Sequence, residues 1–585
     1  MSSLDTGMYN STKLLAAKAS NRLANVAAAC WREPMLFLSV VTVIALFLFV
    51  NKAFHIDDPL FLWTARHIRE SPLNFYNFDV NWYGYNMRAS DVIKNPPVAS
   101  YYVAFVSSLI GWSETRLHLA FLLPAVAGVL GTYVLAQHYC SRPALAALGL
   151  LFTPAFLVSS TTIMCDTMML ALWVWALVFW EKGMRNNSVR SFMLAGLLAG
   201  TCALTKYFGI CLLPLMLIDG IVKTRRAGWW LGAVLLPLAV VGVYEWYTWA
   251  LYGHGLFFAA AGYAAHFGRP DLMIYALLGL AFTGGCILTP LFYSHAIWKR
   301  WQILSGLATV VSLAFLLIQI LPSRLTREIS PDRVPFVAVQ LAVFAIIGVV
   351  VLFLGASDLL RERDGKSLLL FLWLVGTFVF AAFLNWTINA RSVFPLAPAV
   401  MILLMRRIDF RFGPATGRVE PRLLWPIVPA AIVALLLSYA DCWLANSARS
   451  AAYIIHEKTK NELGEVWFEG HWGFQYYMEN LGAKPLDLKS GMVYAGDFLV
   501  VPNNAPNVTS LSTDVSVRTV LQTASTSLVT TMDRAAGAGF YASAWGPLPF
   551  AVGVTHPERY ILLAINRRIR FMPSEHKGNE AATRE

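Results

Sequence analysis

Apolar residues fall along this chain in long blocks, near 35–52, 116–138, 144–160, 166–181, 191–205, 207–222, 229–251, 272–296, 302–321, 335–355, 368–384, 392–405 and 424–445. Most approach the ~20 residues a helix needs to cross a hydrocarbon core roughly 30 Å thick. As one helix, 191–222 would run roughly 48 Å at a rise of about 1.5 Å per residue, so it is read as two spans divided at Lys206. A shorter run at 98–110 follows Pro96-Pro97 and is read as an interfacial or re-entrant helix. Beyond 445 the pattern changes. Met492-Val493-Tyr494, Phe498 to Val501 and Tyr560 to Leu563, bounded by Gly, Pro and Asn, predict strands, while 451–481 reads as helical. The expected fold is a polytopic α-helical membrane protein of about 13 transmembrane helices with a small C-terminal α/β domain. Its expected divisions are an amphipathic N-terminus at 1–34, a membrane domain at 35–445 with a first outer loop at 53–115, and an extracytoplasmic domain at 446–585.

Composition agrees with that reading. Of 585 residues, 57% are hydrophobic and 14% charged, against roughly 25% charged in a soluble domain. Disordered, collagen-like and ordinary soluble folds are excluded, because too little polar surface exists to wrap the apolar mass. The net charge of +12 does not imply nucleic acid, since the basic residues are scattered through short loops. They fit the positive-inside rule instead. With the N-terminus in the cytoplasm, inner segments carry Arg142, then Lys182 and Arg185, Lys223 and Arg225, Lys299 and Arg300, Arg361 and Arg363, and Arg406, Arg407 and Arg411. The odd count of spans then puts 446–585 on the outer face of a bacterial-type cytoplasmic membrane. Ala27-Ala28-Ala29 precedes the first apolar block instead of following it, so that block reads as a retained signal-anchor. The seven cysteines form no CxxC pair and none follows Cys442, which excludes a disulfide-built tail.

An ionisable group at membrane depth costs about 2.5–3.5 kcal/mol at a helix centre on insertion scales, so each needs a reason. Asp57, Asp58, Lys94, Asp166, Lys206, Glu245 and Arg391 all fall at or near the outer ends of predicted spans. Dispersed in sequence but assigned to one face, they have the pattern of a site between helices and the outer water. Asp58 precedes Pro59 and also fits a helix N-cap, which leaves Asp57 without a structural task. Asp166 fits a cap and a site equally. Lys206 and Arg391 are also placed where a long side chain snorkels to the interface. Glu245, between Tyr244 and Trp246, lies inside its span and is harder to assign to the interface. His254 and His266, in the loop after that span, show no metal-ligand spacing. No phosphate-binding glycine loop, HExxH or GxSxG is present.

The acidic pair in HIDDPLFLWTARHI (55–68) resembles the motif of GT-C-fold glycosyltransferases that use polyprenyl-phosphate sugars, the superfamily of protein O-mannosyltransferases and lipid A aminoarabinose transferases. Further similar strings follow in the family's order: KNPPVASYY (94–102), GWSETRLHLAFLLPAVAGVLGTYVLA (111–136), MCDTMMLALWVWAL (164–177), GLLAGTCALTKYFGICLLPL (196–215) and NARSVFPLAPAV (389–400). The likeness covers about residues 35–405 and leaves the tail outside it. The family often has Lys or His directly before Pro-Pro, whereas here Asn95 stands there and Lys94 one position earlier.

The resemblance implies transfer of a sugar from a polyprenyl-phosphate donor to a hydroxyl of a glycan, lipid or protein acceptor, with inversion. It implies Asp57 as base, with Asp166 orienting the acceptor or sharing that role. Lys206, Arg391 and Lys94 would hold the donor phosphate, and Asp58, Glu245 and His266 would contact sugar or acceptor. No cofactor or metal is expected, because such relatives work without one. Three rival readings stand beside it: a transporter or flippase of a lipid-linked substrate, a wall-polymer ligase, and a membrane-anchored sensor. Transporters show repeated halves and helices broken at mid-membrane, and this chain has no internal repeat.

Overall fold

The apolar blocks become helices, in a computed structural model that describes residues 33–266, 271–324, 329–415, 420–508, 515–523 and 528–571. The amphipathic segment expected at the N-terminus lies, up to residue 32, outside the described residues. Among those described, seven helices are long and apolar enough to cross a membrane: Glu114–Ala136, Tyr207–Thr224, Trp230–Tyr252, Arg300–Gln319, Pro331–Glu362, Gly365–Leu384 and Pro421–Thr459. The other predicted spans are met by shorter, more polar or broken helices, so helix length does not by itself carry a count of thirteen. Proline explains one break. The block at 144–160 divides into Pro143–Leu151 and Pro154–Ser159, where Thr153 caps the second piece by accepting the Phe156 N–H. The block at 272–296 likewise becomes Leu272–Cys286 followed by two single turns.

Basic residues assigned to different inner loops meet at one end of the bundle. Arg142 pairs with Asp409 and Glu420, and Arg361 and Arg406 share Asp358. The division at Lys206 is also real. The helix Val189–Thr205 stops there, Lys206 is extended, and the chain re-enters through a single 3₁₀ turn.

The loop at 53–115 and the tail share one hydrophobic core. Leu60, Leu62, Phe75 and Tyr76 from the loop pack with Phe468, Phe474, Tyr476 and Phe498 from the tail. Within the loop, Asp58–Glu70 packs against Val98–Ile110. That second helix has 13 residues, roughly 20 Å, too short to cross. In the tail, the helix predicted over 451–481 is interrupted. Ile427–Thr459 runs on past the last span, Val466–Phe468 is a strand, and Trp472–Asn480 is a separate helix. The strand predicted at Phe498 pairs antiparallel with the one at Tyr560, in the centre of a five-stranded sheet. That sheet runs in the order Lys484–Pro485, Val466–Phe468, Phe498–Pro502, Arg559–Ile565, Val515–Gln522. The first three strands are parallel and the rest antiparallel. From the sheet, the segment 529–551 returns to the membrane helices, where Phe540, Tyr541 and Phe550 are buried in the main core.

Candidate functional site

The short segment after the first helix, Lys52 to Asp58, is held from every side. The Ala53 N–H donates to Asn446 Oδ1 at 3.0 Å and the Phe54 N–H to Tyr477 Oη at 2.8 Å. Asp58 is fully buried and accepts the His55 N–H at 2.8 Å and the Ile163 N–H at 3.1 Å. It therefore ties the first acidic motif to the second, Met164-Cys165-Asp166. Burial pushes the Asp58 carboxyl up to about 7 and lowers the His55 imidazole to about 4. Between these anchors Ile56 adopts φ +47°, which strains a β-branched residue.

That strain turns Asp57 toward a cavity of about 680 Å³. Asp57 Oδ2 accepts from Arg391 Nη1 at 2.8 Å, while the buried Arg391 Nε–H has no partner. Asn389 fixes the turn that carries Arg391, through a capping box with Ser392. Lys206 Nζ donates to Asp166 Oδ1 at 2.6 Å, and the other oxygen of Asp166 is buried without a partner. Asp57, Lys94, Lys206 and Arg391 all line the cavity, whereas Asp166, only 1% exposed, stands behind Lys206. Lys94 lies over the Tyr263 ring at 5.3 Å and donates to the Asp91 carbonyl, and burial lowers its ammonium below the ordinary range.

Three of the sequence-predicted residues stand elsewhere. Asp58 is engaged with backbone as described. Glu245 accepts the Phe257 N–H at 2.9 Å and the Phe258 N–H at 3.3 Å, so it caps Leu256–His266, the helix that occupies the expected loop. His266 ends that helix, and the cavity is lined instead by Tyr263, Ala264 and Ala265 just before it.

Sequence reasoning missed two features. The first is a buried network under the cavity floor. Lys52 and Asp441 are both 0% exposed and pair at 2.6 Å. Lys52 also donates to Thr161 Oγ1, while Asp441 accepts from Thr531 Oγ1 at 2.7 Å and Tyr541 Oη at 2.8 Å. Arg391 lies over that same Tyr541 ring at 5.6 Å, which links the network to the site. An acidic residue inside the last apolar block was the available signal. The second feature is a wall from the tail, with Trp472, Asn507, Arg534 and Trp545 lining the cavity. Nothing in the sequence separates those two from the other eighteen of 20 tryptophans.

Among the described residues, six other than glycine have positive φ. Asn187, Arg225 and Arg363 are helix C-caps. The remaining three, Ile56, Trp472 and Asn507, all line this cavity. Strain of this kind concentrates at functional sites. Among the described residues there is no group of three His, Cys, Asp or Glu side chains able to hold a metal ion.

Fold and site together define a multi-span helical membrane protein in which residues 53–115, the membrane helices and the C-terminal α/β region line an ion-paired cavity. Residues 94–246 match the family model described as dolichyl-phosphate-mannose-protein mannosyltransferase. The strings at 94–102, 111–136, 164–177 and 196–215 lie inside that segment, and the resemblance to GT-C glycosyltransferases is borne out there. Among solved structures the chain is similar to the Archaeoglobus fulgidus oligosaccharyltransferase tethered with an acceptor peptide, at 11% identity over 78% of this chain and 63% of that one, TM-score 0.47. It is also similar to ArnT from Cupriavidus metallidurans bound to undecaprenyl phosphate, at 14% identity over 80% and 93%, TM-score 0.35. A third is the arabinofuranosyltransferase AftD from Mycobacteria, at 10% identity over 91% and 40%, TM-score 0.40. The chain spans less than two thirds of the archaeal protein's length. No curated protein sequence matches it.

Proposed function

We propose that the protein moves a sugar from a polyprenyl-phosphate donor to an acceptor hydroxyl at the outer face of the cytoplasmic membrane, with the N-terminus inside and the tail outside. The supporting observation is Arg391, which holds Asp57 through Nη1 while its Nε–H stays buried and unpartnered on the wall of a cavity that Lys206 and Lys94 also line. A guanidinium has five N–H donors, so Arg391 can keep the carboxylate and still meet a phosphate oxygen. Lys206, fixed by Asp166, and Lys94 add two further cations. The family description names a dolichyl-phosphate sugar as donor, a phosphate ester that these groups suit.

In this reading the C1–O bond to phosphate breaks as the acceptor oxygen bonds to C1. The acceptor proton passes to Asp57, and polyprenyl phosphate departs, its growing charge met by Arg391 and Lys206. Attack opposite the leaving group inverts the anomeric carbon. A phosphate monoester is a good leaving group, so a carboxylate base and fixed cations suffice without a cofactor.

The test is release of undecaprenyl phosphate from a set of synthetic undecaprenyl-phosphate sugars by the purified protein in liposomes, with a crude envelope extract as acceptor source. Asp57→Asn keeps the size of the side chain and an acceptor for Arg391. It is expected to lower the transfer rate about 10²–10⁴-fold, the usual contribution of a general base. Wild-type transfer that survives Asp57→Asn in a folded protein refutes the assignment. Uptake of the donor without product formation would instead support the transporter reading.

A further inference from the structure

The tail wall carries backbone strain where its packing meets the cavity. Trp472 opens the helix Trp472–Asn480 at φ +65°, a conformation that strains a bulky residue. The neighbouring Gly473 cannot carry a side chain, because a Cβ there would meet the Phe54 carbonyl oxygen at 2.0 Å. The helix start is therefore pressed against the Asp57 segment, and the strained residue beside it presents an indole to the cavity. Trp472 packs against the edges of both hydrophobic cores yet stays half-buried, the rest of its surface lining the cavity.

Its neighbours are fixed in turn. The Trp545 ring lies 4.8 Å from that of Trp472, tilted by 53°. The Trp545 indole N–H donates to Asn504 Oδ1 at 2.8 Å, and Asn504 Nδ2 donates to Glu558 Oε1 and the Met532 carbonyl. Arg534 stacks on the Trp545 ring at 3.7 Å. Asn507, the other strained residue of the tail, ties this wall to the loop at 53–115 by donating to the Trp82 carbonyl at 3.3 Å.

The cavity thus has two walls of different chemistry. One carries Lys94, Tyr207, Phe208 and Phe380, with Tyr207 and Phe208 at the start of one candidate span and Phe380 near the end of another. The other carries a rigid indole face flanked by an amide and a guanidinium, from the tail. The first suits a phosphate on an apolar chain. The second suits a ligand with one apolar C–H face and a rim of hydroxyls, since C–H groups favour the electron-rich face of an indole while hydroxyls take N–H donors.

We infer that the tail wall is the acceptor subsite and that the acceptor is a saccharide, its ring stacked on Trp472 with Asn507 and Arg534 meeting its hydroxyls. This rests on the glycosyltransferase reading and adds the class of acceptor to it.

The experiment uses the full chain in lipid nanodiscs. Binding is measured by calorimetry for glucan, mannan, galactan and arabinan hexasaccharides, for a Ser/Thr-rich peptide, and for undecaprenyl phosphate. At least one hexasaccharide is expected to bind, with Trp472→Ala raising its Kd at least tenfold and Arg534→Gln raising it less. Both variants should keep wild-type affinity for undecaprenyl phosphate. Trp472→Gly separates function from folding. Glycine accepts φ +65° without strain, so this variant should melt above Trp472→Ala yet bind saccharide no better. The subsite is overturned if no hexasaccharide binds, if binding survives Trp472→Ala and Trp472→Gly, or if the peptide is the ligand those changes remove. Wild-type protein that binds a saccharide but not undecaprenyl phosphate would overturn the donor reading and leave the subsite standing.

Discussion

Replacing Lys52 by Met leaves Asp441 as a buried carboxylate whose remaining ionisable partner, the His55 imidazole at 3.7 Å, is held neutral by burial. Both groups are 0% exposed and 2.6 Å apart, so neither can reach water by a change of rotamer. Removing one partner of such a pair costs about 3–5 kcal/mol, because the survivor stays desolvated and uncompensated. The converse variant, Asp441→Asn, strands the Lys52 ammonium at a similar cost. If the two losses were independent, the double variant would lose about 6–10 kcal/mol, a large part of the stability of any domain. It should lose far less. With Met and Asn in place no net charge remains buried, and the Asn oxygen still accepts from Thr531 or Tyr541, leaving roughly one or two hydrogen bonds unmade at about 1–3 kcal/mol each. The coupling is therefore several kcal/mol. The measurement is the apparent melting temperature of each protein in detergent, followed by the loss of the monodisperse peak on heating. The double variant should melt above both single variants. If it melts below them, the losses add and the pair does not act as a unit. Tyr541 lies under Arg391, so both single variants should also weaken binding of undecaprenyl phosphate.

Two further outcomes follow from particular contacts. Asp166→Asn releases the 2.6 Å hold on Lys206 without emptying the cavity wall, so the donor KM should rise about tenfold while kcat changes less. An equal fall in kcat and kcat/KM would show instead that Asp166 acts in the chemical step. Burial raises the Glu558 carboxyl to about 8, so its contribution to stability is full below the ordinary carboxylate range and is lost as pH rises through about 8. Glu558→Gln keeps an acceptor for Asn504 and removes the proton, so melting temperature measured from pH 5 to pH 9 should fall less steeply in the variant than in the wild type.

Much of the helical architecture was legible because lipid admits few alternatives: an apolar block of about 20 residues must be a helix. What periodicity could not show is how the blocks break. Pro154 divides one because it lacks an N–H, and Pro290 opens the first turn after Cys286, but the second turn, Ser294–Ile297, contains no proline. Asp57, Lys94, Lys206 and Arg391 were legible for the same reason as the helices, since a charge next to an apolar block needs an explanation. Glu245 met that criterion too. Its explanation is a helix start that turns back over the span within the following loop, a tertiary event that a linear reading cannot see. Lys52 was hidden by its place at the end of an apolar block, where a lysine ordinarily marks the interface.

The tail was the least legible region, and it bears most on how the cavity is made. Asp57 needs a strained backbone at Ile56, and strain persists only where surrounding contacts outweigh it. Those contacts come from afar: Asn446 and Tyr477 on Ala53 and Phe54, Gly473 against the Phe54 carbonyl, and Tyr541 with Thr531 on the Asp441 that holds Lys52. Every one of those groups, Asp441 excepted, lies beyond residue 445. The acidic motif near the N-terminus is thus shaped by the last quarter of the chain, which also supplies the indole and guanidinium wall opposite the cations. A membrane domain cut before that segment would keep its charges and lose the geometry that makes them a site.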